Sequence, residues 1–101
     1  MAKRYHIVIQ PEAEADISEI YEYIAVQLEN PRAAYELCDL IYQELETLDE
    51  MPERFHVWPV SPWKARKVRS MIIRNYHALY SVDKKGNVVN VLRVFYGRQD
   101  V

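Results

Sequence analysis

Glycine and cysteine are nearly absent from this sequence, and each shortage excludes chemistry. The two glycines, Gly86 and Gly97, stand far apart. They cannot form a GxGxxG turn or a Walker-type cradle, both of which need clustered glycine for close backbone approach to phosphate. The lone cysteine, Cys38, allows no internal disulfide and no CxxC metal or redox pair. No apolar run approaches the ~20 residues of a membrane-spanning helix, and the first six residues lack the apolar core of a secretion signal. The expectation is a soluble, cytoplasmic chain with no membrane association. His6, His56 and His77 are too scattered to suggest zinc by spacing, so no metal and no cofactor is expected.

What is present is an ordinary globular composition: 101 residues, 50% apolar and 28% charged, enough for one core and one domain spanning residues 1–101. The net charge of -2 hides a division. Residues 1–53 hold thirteen acidic side chains against Lys3, Arg4 and Arg32, a net -10, whereas residues 54–101 hold ten basic side chains against Asp83 and Asp100, a net +8. Such asymmetry suggests one surface that seeks a polyanion and another that repels it, unless the halves neutralise each other by packing together.

Tyr5 to Ile9 is short, β-branched and aromatic, and stops at Gln10-Pro11, the pattern of a strand. Pro11 suits the first turn of a helix, and Glu12, Glu14 and Asp16 favour its N-terminus. Ala13, Ile17, Ile20, Ile24 and Leu28 then recur at helical spacing, widened by Tyr21. Asn30 as cap and Pro31 at the first position restart the pattern, and Ala34, Leu37 or Cys38, Ile41, Leu45 and Leu48 carry it to Met51-Pro52. So short a link makes the two helices an antiparallel hairpin. A loop with Pro52, Pro59 and Pro62 follows, in which Trp58 and Trp63 either cap the core or meet a partner. Lys67 to Ile73, Tyr76 to Val82 and Val88 to Tyr96 read as a three-strand antiparallel meander, with tight turns at Arg74-Asn75 and at Asp83 to Asn87, the latter offering Gly86 for positive φ. The fold class is α+β: one N-terminal strand, the helical hairpin, then the meander, with the helices on one face of the sheet. The other face is expected to be free, with the cations of the second half gathered on it. Cys38 is expected in the core, and Tyr21, Tyr35 and Tyr42 at its edge or on a partner.

The ordered set of Ala13, Asp16-Ile17, Ile20-Tyr21, Pro31 to Ala34, Val68-Arg69, Asn75-Tyr76, Leu79-Tyr80, Val91-Leu92 and Tyr96-Gly97-Arg98 resembles the RelE/ParE family of toxins from bacterial type II toxin-antitoxin modules. The resemblance covers nearly the whole chain. It implies a growth-arresting toxin held inactive by an antitoxin from the adjacent gene, with operator DNA met only through that antitoxin. Some members cut messenger RNA on the translating ribosome, and others inhibit DNA gyrase without cutting anything.

RNA cleavage needs a base for the 2′-hydroxyl, cations for the charge gathering on phosphorus and an acid for the leaving oxygen. The resemblance places Arg69 and Arg98 at family arginines and His77 where some ribonuclease members carry another arginine, with no Tyr or His after Arg98. His77, Arg98 and Arg69 are therefore the catalytic candidates of a ribonuclease, His77 being able to exchange protons as arginine cannot. Gly97 beside Arg98 is read as freeing the backbone there. Gyrase inhibition needs only a complementary surface, for which the candidates are Lys64, Arg66, Lys67, Arg69, Arg74, Arg93 and Arg98, interleaved with Trp58, Trp63 and Tyr76. The incomplete catalytic set tilts the reading toward the inhibitor. A relative that only binds antitoxin, without toxicity, is the third reading.

Overall fold

The computed structural model of the chain describes residues 4–97. Its elements follow the expected order: β1 (His6–Ile9), α1 (Pro11–Glu22), α2 (Pro31–Glu46), β2 (Arg69–Ile73), β3 (Tyr76–Asp83) and β4 (Val88–Tyr96). Pro11 and Pro31 sit at the helix starts, where the missing N–H costs nothing, and Asn30 Oδ1 accepts from the Ala33 N–H at 3.1 Å. The strand order is β1-β4-β3-β2, with the meander antiparallel and β1 parallel to β4. No helix among the described residues is long and apolar enough to cross a membrane.

Period-2 alternation sorts the sheet. Ala78, Tyr80, Val89, Val91 and Val94 face Ala13, Ile17, Cys38, Ile41 and Leu45 of the hairpin and form the core with Leu48 and Met71. One extra residue in β4 keeps this face apolar along the strand, because the register steps from Leu79 opposite Arg93 to Tyr80 opposite Val91 and leaves Leu92 as a bulge.

The helical stripe fails at its end. After Glu22 the helix widens into a π turn over Tyr23–Gln27, with Leu28 N–H donating to Tyr23 O at 3.1 Å and Asn30 N–H to Ile24 O at 3.1 Å. The extra residue per turn rotates the register, so Leu28, expected on the core stripe, stands 55% exposed. In the β3–β4 turn, Asn87 rather than Gly86 takes the positive φ, at 55°. Asp83 Oδ1 accepts from the N–H groups of Lys85 and Gly86, which closes the turn without a left-handed glycine.

The second face of the sheet is covered around His77 and Leu79, contrary to expectation, while Ile72 on the same face stays exposed. The loop between α2 and β2 folds back along the β2 edge: Ser70 N–H donates to His56 O, Trp58 N–H to Val68 O, and Val57 bridges Arg69. Trp58 then lies on the rings of His77 and Phe95. Leu79 and Val68 end fully buried. The reason is apolar area: His77, Leu79 and Phe95 project from this face, and an unpaired edge strand beside them invites cover.

Candidate target-binding surface

The register of β3 sets His77 between Ile72 and Phe95. Trp58 meets it edge to face at 4.9 Å between centroids, and Phe95 lies at 5.6 Å. Its Nδ1 is 3.1 Å from Ser70 Oγ, donor and acceptor roles following the tautomer. Gly97 presses on the opposite edge of the ring: a Cβ there would stand 2.6 Å from His77 Cδ2. Glycine at 97 is thus required by close approach, not by backbone freedom, since no described glycine has positive φ. His77 is 7% exposed.

Arg69 is committed to the fold. Its Nη1 donates to Phe55 O at 2.7 Å, strapping the covering loop to β2, and its Nη2 lies 3.7 Å from Glu53. Lys64, Arg66 and Lys67 share one stretch of that loop. Successive turns hold it: Lys64 N–H donates to Val60 O, Lys67 N–H to Lys64 O, and Val68 N–H to Trp63 O, with Lys67 at φ 56°. The Arg66 guanidinium stacks 5.3 Å from the Trp63 ring centre.

The candidate cations therefore do not share one surface. Arg74 sits at the far end of β2 in the tight turn, at φ 58°, beside Glu36 and Asp39 on the outer side of α2. Arg93 is bound to Asp16 on the acidic hairpin, Nε to Oδ2 at 2.8 Å and Nη2 to Oδ1 at 3.0 Å. Arg98 lies outside the described residues. Two lysines that the sequence reading left out, Lys84 and Lys85, join Arg66, Lys67 and Arg69 around a cleft of about 410 Å³. A usable signal existed, because in an antiparallel hairpin the end of β3 returns to the start of β2.

Asp16 organises the opposite side. Strand β1 leaves β4 at Ile9 opposite Val91, so the outward N–H groups of the rest of β4 lack a strand partner. Asp16 Oδ2 takes one of them, accepting from Val94 N–H at 2.9 Å. Burial alone would push this carboxyl up, but the Arg93 guanidinium and the Val94 N–H outweigh it and hold it below its ordinary value. Next to it runs an apolar groove of about 640 Å³ between the π turn and β4, walled by Ile20, Tyr23, Ile24, Leu28, Tyr76 and Tyr96. Tyr23, Leu28 and Tyr96 are exposed there, an area of apolar surface that calls for a partner. Tyr21, Tyr35 and Tyr42 are also exposed, and the Tyr42 hydroxyl donates to Glu14 across the helical hairpin. Among the described residues no three His, Cys, Asp or Glu side chains are placed to hold a metal ion.

Comparison with known proteins agrees with this architecture. The family model described as the ParE toxin of the type II toxin-antitoxin system, parDE, matches residues 7–101. No match to a curated protein was found. Among solved structures, the chromosomal ParDE toxin-antitoxin system from P. aeruginosa is similar at a TM-score of 0.76 and 20% identity, over 94% of this chain and 98% of that one. The toxin-antitoxin complex RelBE2 from Mycobacterium tuberculosis is similar at 0.62 and 18% identity, over 97% and 95%. At those identities the likeness is one of fold, an unclosed four-strand sheet with two helices packed against it. The match of the family model over nearly the whole sequence goes further: the chain belongs to the ParE toxins of type II toxin-antitoxin systems.

Proposed function

We propose that this toxin arrests growth by occupying a protein target, DNA gyrase, rather than by cutting messenger RNA on the ribosome. The observation that supports this is the enclosure of His77. Among the described residues it is the one histidine of the catalytic candidates, and it is walled in by Trp58, Phe95, Ser70 and Gly97. A general base must reach the 2′-hydroxyl within about 3 Å or through one water, and this ring is turned into the fold. Arg69, the cation that would stabilise the phosphorane, is engaged by Phe55 and Glu53. Surface inhibition needs neither group.

The antitoxin is proposed to lay an amphipathic segment in the groove between the π turn and β4, where exposed Tyr23, Leu28 and Tyr96 offer apolar anchors. Production of the chain alone in a bacterium should stop growth, and the product of the adjacent gene should restore it. Purified toxin should block supercoiling by gyrase while total RNA keeps its normal ends. New ends within translated codons, lost in His77→Ala, would replace the inhibitor with a ribonuclease. Unimpaired growth at good expression would leave only an antitoxin-binding relative.

A further inference from the structure

The cleft at the junction of the covering loop and the β3–β4 turn has a composition that distinguishes the kind of molecule it takes. Five cations converge on it from three separate parts of the chain: Arg66 and Lys67 from the loop, Arg69 from β2, Lys84 and Lys85 from the turn. Two of them are partly neutralised by Glu53, which stands 3.1 Å from Lys84 Nζ and 3.7 Å from Arg69. The other carboxylate, Asp83, is occupied by the turn it closes. Arg66, Lys67 and Lys85 make no ion pair among the described residues. Of the residues lining the cleft only Val82 is apolar.

A protein partner would leave a different mark, because protein interfaces centre on apolar and aromatic anchors and are depleted in lysine. Surfaces that bind nucleic acid are more polar and far more positive, since phosphate neutralisation with counterion release supplies the affinity. Single strands are held by aromatic platforms on which bases stack, and no aromatic side chain lines this cleft. We propose that the cleft is a phosphate-backbone site through which the toxin itself grips duplex DNA, independently of base sequence. This contact is direct, whereas the sequence reading gave the chain DNA only through its antitoxin, and it does not depend on gyrase being the target.

Glu53 has a defined place in this site. It is an internal carboxylate resting where a phosphate would sit, and it competes with the ligand for Lys84, while Arg69 stays bound to the loop carbonyl of Phe55 and leaves Arg66, Lys67, Lys84 and Lys85 to meet phosphates.

The test is a titration of the purified full-length chain into a labelled duplex of about 20 base pairs, without gyrase or antitoxin, over a series of salt concentrations. Four neutralised phosphates give a log–log salt slope of about -3.6. Lys67→Ala combined with Lys85→Ala should weaken binding about tenfold or more and reduce the slope by about 2. Both side chains are exposed, so the doubly substituted chain should keep its circular dichroism and melting temperature. Glu53→Gln should do the opposite and tighten binding by about two- to fivefold. Absence of binding at low salt, equal binding by the double variant, stronger binding to a single strand, or displacement of DNA by polyglutamate as readily as by competing duplex would each overturn the proposal. Weaker binding by Glu53→Gln would show that this carboxylate builds the site rather than competing for it, and would remove the competition argument.

Discussion

Removing the Asp16 carboxylate should destabilise the fold by more than removing its ion-pair partner. The carboxylate accepts three hydrogen bonds, two from Arg93 and one from Val94 N–H. Its side chain is 12% exposed and that of Arg93 50%. With half of the guanidinium in water the ion pair itself contributes about 0.5–1 kcal/mol. The Val94 amide is the larger part. Asp16→Ala leaves a part-buried N–H on a sheet edge with no strand beside it, a loss of about 1–3 kcal/mol. Together these make about 1.5–4 kcal/mol, which for a chain of this size lowers the melting temperature by roughly 6–30 °C. Asp16→Asn keeps an oxygen for Val94 and loses the charge, so about 1 kcal/mol is expected. Arg93→Ala should cost no more than about 1 kcal/mol.

Urea denaturation followed by circular dichroism gives that order directly. The pH dependence gives a second reading. The carboxyl is held below its ordinary value of 3.8, so its stabilisation is fully present above that value and is lost as pH falls through the lower folded value. Native chain and Asp16→Asn should therefore differ by a constant amount near neutrality and converge in acid. If Arg93→Ala were as damaging as Asp16→Ala, the carboxylate would be acting through charge alone and the edge-capping account would be wrong.

Three further outcomes follow from the same geometry. Tyr80 donates its hydroxyl to Pro52 O at 2.5 Å, and burial pushes its phenol up to about 12 against the pull of Arg69 and Arg54. Its stabilisation is complete below the ordinary value of 10.0 and is lost as pH rises toward the folded value. Tyr80→Phe should accordingly cost about 1–2 kcal/mol at neutral pH by stranding the Pro52 carbonyl, and should flatten the alkaline decline measured by urea titration. Gly97→Ala forces a methyl group into His77 and should cost about 1–3 kcal/mol in the same assay, whereas relief by a second substitution, His77→Ser, would identify the contact. Trp58→Ala uncovers the second sheet face. It should lower stability by about 2 kcal/mol or more and make His77 reactive toward diethylpyrocarbonate, detected by mass spectrometry; unchanged reactivity would mean that Trp58 is not what encloses the ring.

The sequence alone determined what local chemistry controls. Asparagine and proline at positions 30 and 31 start α2 because their side-chain and backbone preferences act over three residues. The alternation of Val88 to Tyr96 and the spacing of Ala34, Cys38, Ile41 and Leu45 declare which side must leave water, which is enough to name an α+β fold. Even the short polar links showed that the last three strands form a meander. Only the tertiary structure decided where the charges went. Whether an arginine faces solvent, a carboxylate or a carbonyl depends on residues distant along the chain: Arg93 meets Asp16 because β1 stops short of the end of β4, and Arg69 meets Phe55 because the loop returns along the β2 edge. The covering of the second sheet face belongs to the same class. Trp58 and His77 carry no mutual signal in sequence, and apolar burial, being non-directional, tells which residues seek cover without telling what will cover them.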